Sequence, residues 1–352
     1  MNKYALLLKT GDSELRAMSH FDNTSSILPI IELTRGRKSK KDEVGKISKR
    51  IERIRDIFKD EEIILDLTSD ESLSNTEIDA FFIPTNGYKG WCDYLLELEN
   101  EKCFKRIIPS ILVNGLDQNL NINLKIQANF FADNFKCIAY RCNIEDDGCL
   151  GDIETIKDYL NRCESYIIID NGYIQPSEVS ACAIKSIGLI KQILCFVPNA
   201  KIIITATSFP DKLPDEDDST IPMSEINLYD EIQKALPNTD IIYGDYGGVN
   251  PIRNDSIVMA HGWRPRIDVP LSNKIYYYRR RRSGMEYSRT YSIVAQNVCS
   301  DLLFPIDMND NWGIQQIKNA ANGASPGSNP SFWISVRMNI HVEQQLRRLN
   351  LL

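Results

Sequence analysis

The strongest constraint on the fold is a short apolar strand pattern that ends in a charged residue and leads into helical sequence. In its clearest copy, Tyr166 and three consecutive isoleucines precede Asp170, Asn171 and Gly172. A continuous β-branched run of this kind indicates a strand that is buried on both faces, as in a parallel sheet. Asp170 would then lie at the carboxyl end of that strand, where α/β folds place their ligands.

Eight such strands are predicted along the chain, at residues 4–9, 27–33, 63–68, 107–113, 136–142, 164–172, 201–207 and 239–246. Helical patterns lie between them. In residues 42–59, for example, apolar side chains recur every three or four positions and charges fill the rest. Eight strands, each followed by a helix, predict an α/β fold of the (β/α)8 type, similar to a TIM barrel. An open, doubly wound parallel sheet is the alternative.

The pattern changes after Gly247 and Gly248. Two short strands at 264–270 and 274–280 predict a β-hairpin excursion that occupies residues 250–285. Residues 286–352 then read as a C-terminal helical completion of the barrel, with a helix at 287–303 that could complete the last βα unit. We therefore expect one barrel-like domain over residues 1–352.

Bulk properties narrow the classes of function. The net charge of −7 argues against a polyanion-binding protein by overall charge, so any nucleic-acid surface must be local. With no apolar run near twenty residues, a membrane partner is not expected, and the N-terminus is a poor signal peptide. Nine cysteines without a Cys-x-x-Cys pair predict reduced thiols and a cytoplasmic protein. Three histidines are too few for a histidine-rich metal site.

Charged residues stand near the carboxyl ends of six predicted strands. They are Lys9, Glu32, Asp66, Arg141, Asp170 and Asp245. A buried charge is costly unless it is paired, so these side chains need one another, a ligand or a metal. One interpretation is a salt-bridged network that plugs the barrel and has no further role. The other is a ligand or catalytic site at the barrel mouth, where charged strand ends usually carry function.

The signs of these charges suggest roles. Glu32, Asp66, Asp170 and Asp245 are the candidate catalytic carboxylates. Mg²⁺ or Mn²⁺ bound by Asp66, Asp170 and Asp245 would activate a water molecule for attack on a phosphoester. Lys9 and Arg141 are instead suited to hold the oxygens of a phosphate or carboxylate.

Two basic stretches add to the candidates. Arg35, Arg37 and Lys38 belong to a run at 35–41 in a predicted βα loop, on the same face as the acids. The second run, at 276–282, places three tyrosines before four arginines. Basic groups next to aromatic rings bind phosphates and stack on bases, so nucleotides and nucleic acids are possible partners. The alternatives are a solvated loop and an edge strand. The acidic run at 215–218 is interpreted as a solvated loop.

Short motifs at both ends of the chain carry a family resemblance. The N-terminal set is Tyr4, Lys9, Gly11, Glu14 and Ala17, followed by Pro29-Ile30-Ile31-Glu32. The later set is Gly244-Asp245-Tyr246-Gly247, Trp312-Gly313, Ile317, Ala320, Ser328-Asn329-Pro330, Trp333 and His341-Val342. With these motifs the chain resembles the beta protein family, which is found in prophages and bacterial defence islands.

The resemblance implies a barrel fold and a role beside toxin or anti-phage genes, as a restraining or sensing partner. It also adds Trp312, Trp333 and His341 to the candidate ligand-binding residues. The chain departs from the family at two positions. Ile334 stands where an arginine commonly follows the tryptophan, and Ile340 precedes a single His341 where a histidine pair is common. Any activity that depends on those residues in relatives is in doubt here.

Two functional hypotheses follow. The first is a binding or regulatory module of a phage-defence or toxin-control system, which recognises a phosphate-bearing ligand or a partner protein. The alternative is a metal-dependent phosphodiesterase or nuclease that uses the acids of the barrel mouth. The enzyme would depend on Mg²⁺ or Mn²⁺, whereas the binding module would tolerate chelation and depend on Lys9, Arg141 and the basic loops.

Overall fold

The computed structural model describes residues 3–21, 24–38, 40, 42–252 and 262–352. These residues form eleven strands: β1 (Tyr4–Lys9), β2 (Ile27–Leu33), β3 (Glu62–Leu67), β4 (Arg106–Pro109), β5 (Cys137–Asn143), β6 (Glu164–Tyr173), β7 (Lys201–Thr207), β8 (Asp218–Pro222), β9 (Ile241–Asp245), β10 (Arg266–Pro270) and β11 (Lys274–Arg279). The strands form two sheets, one of eight strands and one of three.

The eight-stranded sheet is parallel and nearly closed into a barrel. Its strand order is β4-β3-β2-β1-β9-β7-β6-β5, and a parallel bridge from Ser110 to Ala139 links the two outer strands. Each strand corresponds to one of the eight predicted from the sequence. The (β/α)8 prediction is therefore confirmed, and the open doubly wound sheet is not.

Helices flank the barrel. They are α1 (Asp12–Met18), α2 (Ser48–Phe58), α3 (Thr76–Phe81), α4 (Lys89–Asn100), α5 (Leu120–Asn134), α6 (Cys149–Leu160), α7 (Val179–Phe196), α8 (Ser224–Ala235), α9 (Tyr287–Ser300), α10 (Trp312–Ala321) and α11 (Pro330–Arg348). The first eight lie between successive barrel strands, as crossovers between parallel strands require.

The alternation of side chains along the strands divides the core in two. On β1, Tyr4, Leu6 and Leu8 face the helices, whereas Ala5 and Leu7 face the barrel interior. The interior cluster also contains Leu28, Ile30, Ile64, Ile108, Cys137, Ala139, Tyr166, Ile168, Ile203 and Tyr246. The next inward position toward the carboxyl ends is polar on several strands, and this layer forms the candidate site.

The C-terminal part builds a second, smaller core. Strands β8, β10 and β11 form an antiparallel sheet, and β10 and β11 are the predicted hairpin. Residues 253–261 of the predicted excursion lie outside the described residues. Together with α9, α10 and part of α11, the hairpin encloses an apolar cluster that includes Tyr291 and Trp333. It is α11, rather than the predicted helix at 287–303, that packs on the barrel, since Met338, Val342 and Leu346 belong to the barrel's outer core.

Strand β8 begins at the end of an acidic run that is predicted to be a loop. The acidic run at 215–218 is predicted to be a solvated loop. Residues 215–217 are exposed and belong to no strand, as predicted, but Asp218 begins β8, which pairs with β11. Arg264 forms ion pairs with Asp215 and Asp217, and the Arg279 side chain donates hydrogen bonds to backbone carbonyls of residues 214 and 216. Of these two arginines, Arg279 belongs to the second basic stretch. Residues 276–279 of that stretch lie in β11, which pairs with β10 on one side and β8 on the other, so the stretch belongs to a central strand and not to the edge strand of the alternative interpretation.

One helical segment, Pro176–Phe196, is long and apolar enough to span a membrane by length and composition alone, and most of it is not buried. It contains α7, which connects β6 to β7, and these two strands pair in the same sheet. Spanning a membrane would separate α7 from the barrel on which it packs. The segment is explained as a crossover helix.

The cysteines also differ from expectation. Cys142 at the end of β5 and Cys149 at the start of α6 are joined by a disulfide, with their Cα atoms 5.7 Å apart. The other seven cysteines are free. The sequence spacing of seven residues is not a recognised redox motif, and the pairing arises because the loop after β5 turns back over the strand end.

Candidate functional site

The guanidinium of Arg141 lies at the centre of the barrel mouth, on β5. It donates hydrogen bonds to three carboxylates, each from a different strand: Glu32 on β2 (2.9 Å from Nη1), Asp66 on β3 (3.1 Å from Nη1) and Asp170 on β6 (3.0 Å from Nε and 2.7 Å from Nη2). The three carboxylates are less than a tenth exposed. Four of the six predicted mouth residues therefore meet in one network.

Neighbouring groups complete this network. The Lys9 ammonium lies 3.4 Å from Glu32, and Thr68 donates a hydrogen bond of 2.9 Å to the same carboxylate. The Tyr246 hydroxyl donates to Asp170, lying 2.6 and 2.7 Å from its two oxygens. Lys9 thus joins the four residues around Arg141, so five of the six predicted mouth residues are in contact.

The network sets different protonation behaviour for its acids. Burial would raise the pKa of Glu32, but the positive charges of Arg141 and Lys9 outweigh it and hold the pKa below its usual range. At Asp170, burial would again raise the pKa, but Arg141 and the Tyr246 hydroxyl outweigh it and lower the pKa. At Asp66, burial dominates over Arg141 and is reinforced by the Glu32 carboxylate, so the pKa is raised. Two of the three acids are therefore held ionised.

The network forms the floor of a cavity of about 590 Å³ at the carboxyl ends of the strands. The wall is mixed: Phe82, Ile111, Leu112 and Val113 are apolar, and Asp70, Asn143 and Asp146 are polar. This size falls in the range of small-molecule sites, which combine apolar walls with a few fixed polar groups. The cavity, and not the network alone, argues against a mere plug.

The predicted metal site does not fit this geometry. No group of three or more histidine, cysteine, aspartate or glutamate side chains in the described part of the chain is arranged to hold a metal ion. Between Glu32, Asp66 and Asp170, the place suited to a divalent cation is taken by the Arg141 guanidinium. Arginine stays protonated, so it supplies the positive charge that the carboxylates need. We derive no chemistry through Mg²⁺ or Mn²⁺ here.

Asp245 lies outside the mouth, contrary to the sequence prediction. Gly244 on β9 and Tyr246 just after it face inward, so Asp245 points to the outer side and is completely buried between the sheet and α11. It accepts hydrogen bonds from Tyr4, Tyr243 (2.9 Å) and the Gly247 backbone (2.7 Å). Its other partner is Nε2 of His341, at 2.8 Å. Asp245 is therefore neither a mouth carboxylate nor a metal ligand of the mouth.

The residues suggested by the C-terminal motifs are also structural. His341 is fully buried against Asp245. Trp333 is 3% exposed, stacks on Tyr291 at 4.9 Å and donates a hydrogen bond to the Gly327 carbonyl. Trp312 stacks on His20, with ring centroids 4.0 Å apart. All three contribute to the packing of the C-terminal helices and none lines the mouth cavity.

The first basic stretch borders a second cavity, of about 490 Å³, at the same end of the barrel. Arg35 and Arg37 line it, whereas Lys38 is exposed and lines neither cavity, and Lys41 of that run lies outside the described residues. Ile252 lines both cavities, so they adjoin. We call the cavity above the Arg141 network the mouth cavity, and the cavity lined by Arg35 and Arg37 the arginine cavity.

Several site residues were missed from the sequence. Tyr246 was passed over because the charged Asp245 precedes it, although side-chain alternation from Gly244 would have identified it. Arg266 and Arg337, which line the arginine cavity, lie far along the chain from the barrel strands, on β10 and α11. No sequence signal joins them to Arg35, because the long C-terminal connection brings them back to the mouth.

Comparisons with known proteins agree over most of the chain. The sequence profile of the family described as Beta protein matches residues 4–347. Protein beta of Enterobacteria phage P4 is 29% identical over 351 residues, which is 97% of this chain and 92% of that protein. A chitinase crystal structure from Chromobacterium violaceum ATCC 12472 covers 96% of this chain and 99% of its own, at 10% identity and a TM-score of 0.37. That structural likeness is too low to bear on function.

Proposed function

The chain belongs to the Beta protein family, and from this premise we propose that its barrel is a binding and regulatory module that recognises a phosphate-bearing small molecule. The observation that carries the proposal is the Arg141 network beneath the mouth cavity. A floor whose side chains are already fixed by hydrogen bonds presents polar atoms to a ligand with little loss of conformational entropy.

The arrangement suits binding better than metal-dependent hydrolysis. The carboxylates of Glu32, Asp66 and Asp170 share one arginine, and the pKa values of Glu32 and Asp170 are lowered by that contact. Ionised, paired carboxylates accept hydrogen bonds from ligand hydroxyl or amino groups. The same pairing leaves them poorly suited to bind a second cation. The arrangement of these side chains therefore does not favour a metal-dependent nuclease.

The charge of the two cavities indicates how a phosphate-bearing ligand would lie. In the mouth cavity, the acids outnumber the cations Lys9 and Arg141. A phosphate would be repelled there, whereas a sugar or another hydroxyl-bearing group would be accepted. The adjoining arginine cavity, with Arg35 and Arg37, has the opposite character. A sugar phosphate or a mononucleotide carries both kinds of group at the required proximity.

The biological setting is proposed from the relatives. Protein beta of phage P4 is a phage protein, and the motifs of this chain resemble a family found in prophages and defence islands. We place the module in a phage-defence or toxin-control system, in the cytoplasm, where ligand binding would alter its association with a partner protein. Affinity capture of the tagged chain from a host carrying its neighbouring genes, with and without the ligand, tests for that partner.

Thermal unfolding tests the ligand proposal. The protein would be melted with 5′-mononucleotides, ribose 5-phosphate, short RNA, short DNA and Mg²⁺, each added separately. A ligand at a hundred times its dissociation constant stabilises the folded state by about 2.7 kcal/mol. We expect a shift with at least one phosphorylated small molecule. No shift with any of them would overturn the proposal.

A matched pair of lysine variants locates the binding. Lys9→Gln alters the mouth, where Lys9 contacts Glu32. Lys201→Gln alters an ion pair with Glu164, and both of those residues lie at the amino-terminal ends of their strands. The ligand-induced shift should shrink in Lys9→Gln and persist in Lys201→Gln. Equal shifts in both variants would place the ligand away from the mouth.

A further inference from the structure

The arginine cavity contains two guanidinium groups, one buried and one partly exposed, that share one carboxylate. Arg337 of α11 donates a hydrogen bond of 2.7 Å from Nη1 to Oδ2 of Asp268 on β10. Arg266 of the same strand places its Nε 2.9 Å from the other oxygen, Oδ1. Both arginines line the cavity, whereas Asp268 lies behind them. Within this triad, two positive charges are balanced by one negative charge.

Arg337 is unusual for so polar a side chain. It is 2% exposed, and its Nε hydrogen has no acceptor among the described residues. Its guanidinium carbon lies 3.7 Å from the centroid of the Phe209 ring, and that of Arg266 lies 5.6 Å from the same ring. Both guanidinium groups therefore lie within cation–π distance of Phe209, which helps to hold them in place. A buried cation with an unused donor is costly, and an anionic ligand removes that cost.

The lining of the arginine cavity as a whole carries more positive than negative charge. Among the described residues, five arginines (Arg35, Arg37, Arg50, Arg266 and Arg337) and three carboxylates (Asp12, Glu14 and Asp211) line it. Asp12 is engaged by Arg50 at 2.7 Å and by Arg53 at 2.6 Å, so it already has two cationic partners. Burial lowers the pKa of Arg337 to about 10, opposed by the Asp268 carboxylate and assisted by the nearby charge of Arg266, and this leaves Arg337 protonated at neutral pH.

We propose that Arg337 and Arg266, held by Asp268 and Phe209, form the subsite that binds the phosphate group of the ligand. The proposal rests on the proposed function for the identity of the whole ligand, but it names a different set of residues from the mouth. Planar guanidinium groups match the oxygens of a phosphoryl group in a bidentate manner. Lys9 and Arg141, the phosphate-binding candidates from the sequence, are left to the mouth floor.

Inorganic phosphate is the probe for this subsite, with its dissociation constant measured by ³¹P NMR titration of the full chain. Arg266→Gln should weaken phosphate binding about tenfold, the loss expected for one charge-assisted contact. Arg106→Gln is the matched control, because Arg106 is similarly exposed and pairs with Glu62 at the amino-terminal ends of their strands. It should bind phosphate as the wild type does.

Asp268→Asn separates binding from structure. Removing this carboxylate leaves both guanidinium groups without their counter-ion, so phosphate should bind more tightly than to the wild type while the phosphate-free protein becomes less stable. A residue that only supports the fold would not tighten anion binding when replaced. This variant also keeps the proposal testable if Arg337→Met fails to fold.

The outcomes distinguish this subsite from the proposed function. If phosphate binds and depends on Arg266, but no phosphorylated small molecule binds more tightly than phosphate itself, the subsite stands and the proposed function fails. If a nucleotide or sugar phosphate binds, yet Arg266→Gln and Asp268→Asn leave its affinity unchanged, the subsite is overturned and the proposed function survives. Absence of any phosphate binding to the wild type overturns the subsite outright.

Discussion

The Arg141 side chain donates two hydrogen bonds to a single oxygen of Asp170, at 3.0 Å from Nε and 2.7 Å from Nη2. Arg141 and Asp170 lie near the ends of neighbouring strands, β5 and β6, and Nη1 of the same arginine reaches across the barrel to β2 and β3. One guanidinium thereby links four strands at the mouth. The ligand-binding floor and the stability of the barrel mouth depend on the same group.

Replacing Arg141 with methionine should destabilise the protein by about 3 kcal/mol, because three buried carboxylates lose their counter-ion. Urea denaturation of the wild type and the variant at pH 7 measures this difference. Arg141→Lys is the control: it keeps the charge but loses the forked geometry, so its destabilisation should be smaller. Equal stability of Arg141→Met and wild type would mean that the network contributes nothing to the fold.

The cost of Arg141→Met should also depend on pH. Arg141 lowers the pKa of Glu32 and Asp170, so their contribution to stability is present above the unfolded-state pKa and is lost as the pH falls through the folded-state pKa. The difference between wild type and variant should therefore be largest near pH 7 and shrink in acid. A difference that is constant down to pH 3 would show that these carboxylates are not ionised partners of Arg141.

Asp245→Asn should destabilise the protein by roughly 2 to 3 kcal/mol without changing ligand affinity. The carboxylate accepts hydrogen bonds from Tyr4, Tyr243 and Gly247 and lies against His341, and an amide cannot accept from all of them. Thermal unfolding with and without the ligand measures both quantities. The control is Asp240→Asn, an exposed aspartate just before the same strand. Loss of ligand affinity in Asp245→Asn, with unchanged stability, would mean that Asp245 contributes to ligand binding and not to the fold.

Glu225→Gln should remove a pH dependence of stability between about pH 4.5 and 7. Burial raises the pKa of Glu225 to about 7. The Asp245 carboxylate also raises it, whereas Ser208 and His341 lower it. Because the folded-state pKa is raised, the stability gained from protonation is complete below the unfolded-state pKa and is lost as the pH rises through 7.

The free energy of unfolding of the variant, relative to that of the wild type, should therefore increase as the pH rises, by up to about 3 kcal/mol at pH 8. Denaturation curves across pH 4 to 8 measure the effect. Glu231→Gln, an exposed glutamate of the same helix, is the control and should follow the wild type. Parallel pH profiles for wild type and Glu225→Gln would contradict the burial of an ionisable carboxyl at this position.

Mg²⁺ and Mn²⁺ should not stabilise the protein, since the Arg141 guanidinium already occupies the place between Glu32, Asp66 and Asp170. Melting temperatures with millimolar metal or with chelator should agree within about one degree. A metal-dependent increase that disappears in Asp170→Asn would contradict this and revive the metal-dependent phosphodiesterase.

The barrel strands were predictable because each is a continuous apolar run, which a strand buried on both faces requires. The mouth was predictable in part, since Lys9, Glu32, Asp66, Arg141 and Asp170 all occupy inward positions near strand ends. The prediction that Asp245 lies in the mouth was wrong. Its charge at a strand end suggests the mouth, but side-chain alternation along the strand places it on the outer face. The pairing of Leu6 with Asp245 puts both on the outer face, and that register is a tertiary property.

The arginine cavity could not be predicted from local sequence. Arg337 lies in a helix that is buried on all sides from Ser335 to Val342, and Asp268 lies in a short strand of the hairpin. Their contact, and that of Arg337 with Phe209 after β7, depends on how α11 returns to the barrel. Similarly, β8 was missed because its residues are largely polar and exposed, and only pairing with β11 orders them as a strand.

The central claim is that one ligand occupies both cavities, and calorimetric titration of wild-type protein tests it most directly. Each 5′-mononucleotide would be compared with its nucleoside and with inorganic phosphate. The account predicts that at least one nucleotide binds more than tenfold more tightly than either of its halves, because linking two bound groups raises the effective concentration of the second. It further predicts that Lys9→Gln weakens nucleoside binding and Arg266→Gln weakens phosphate binding. If no nucleotide binds more tightly than its separate parts, the two cavities do not form one site and the account is wrong.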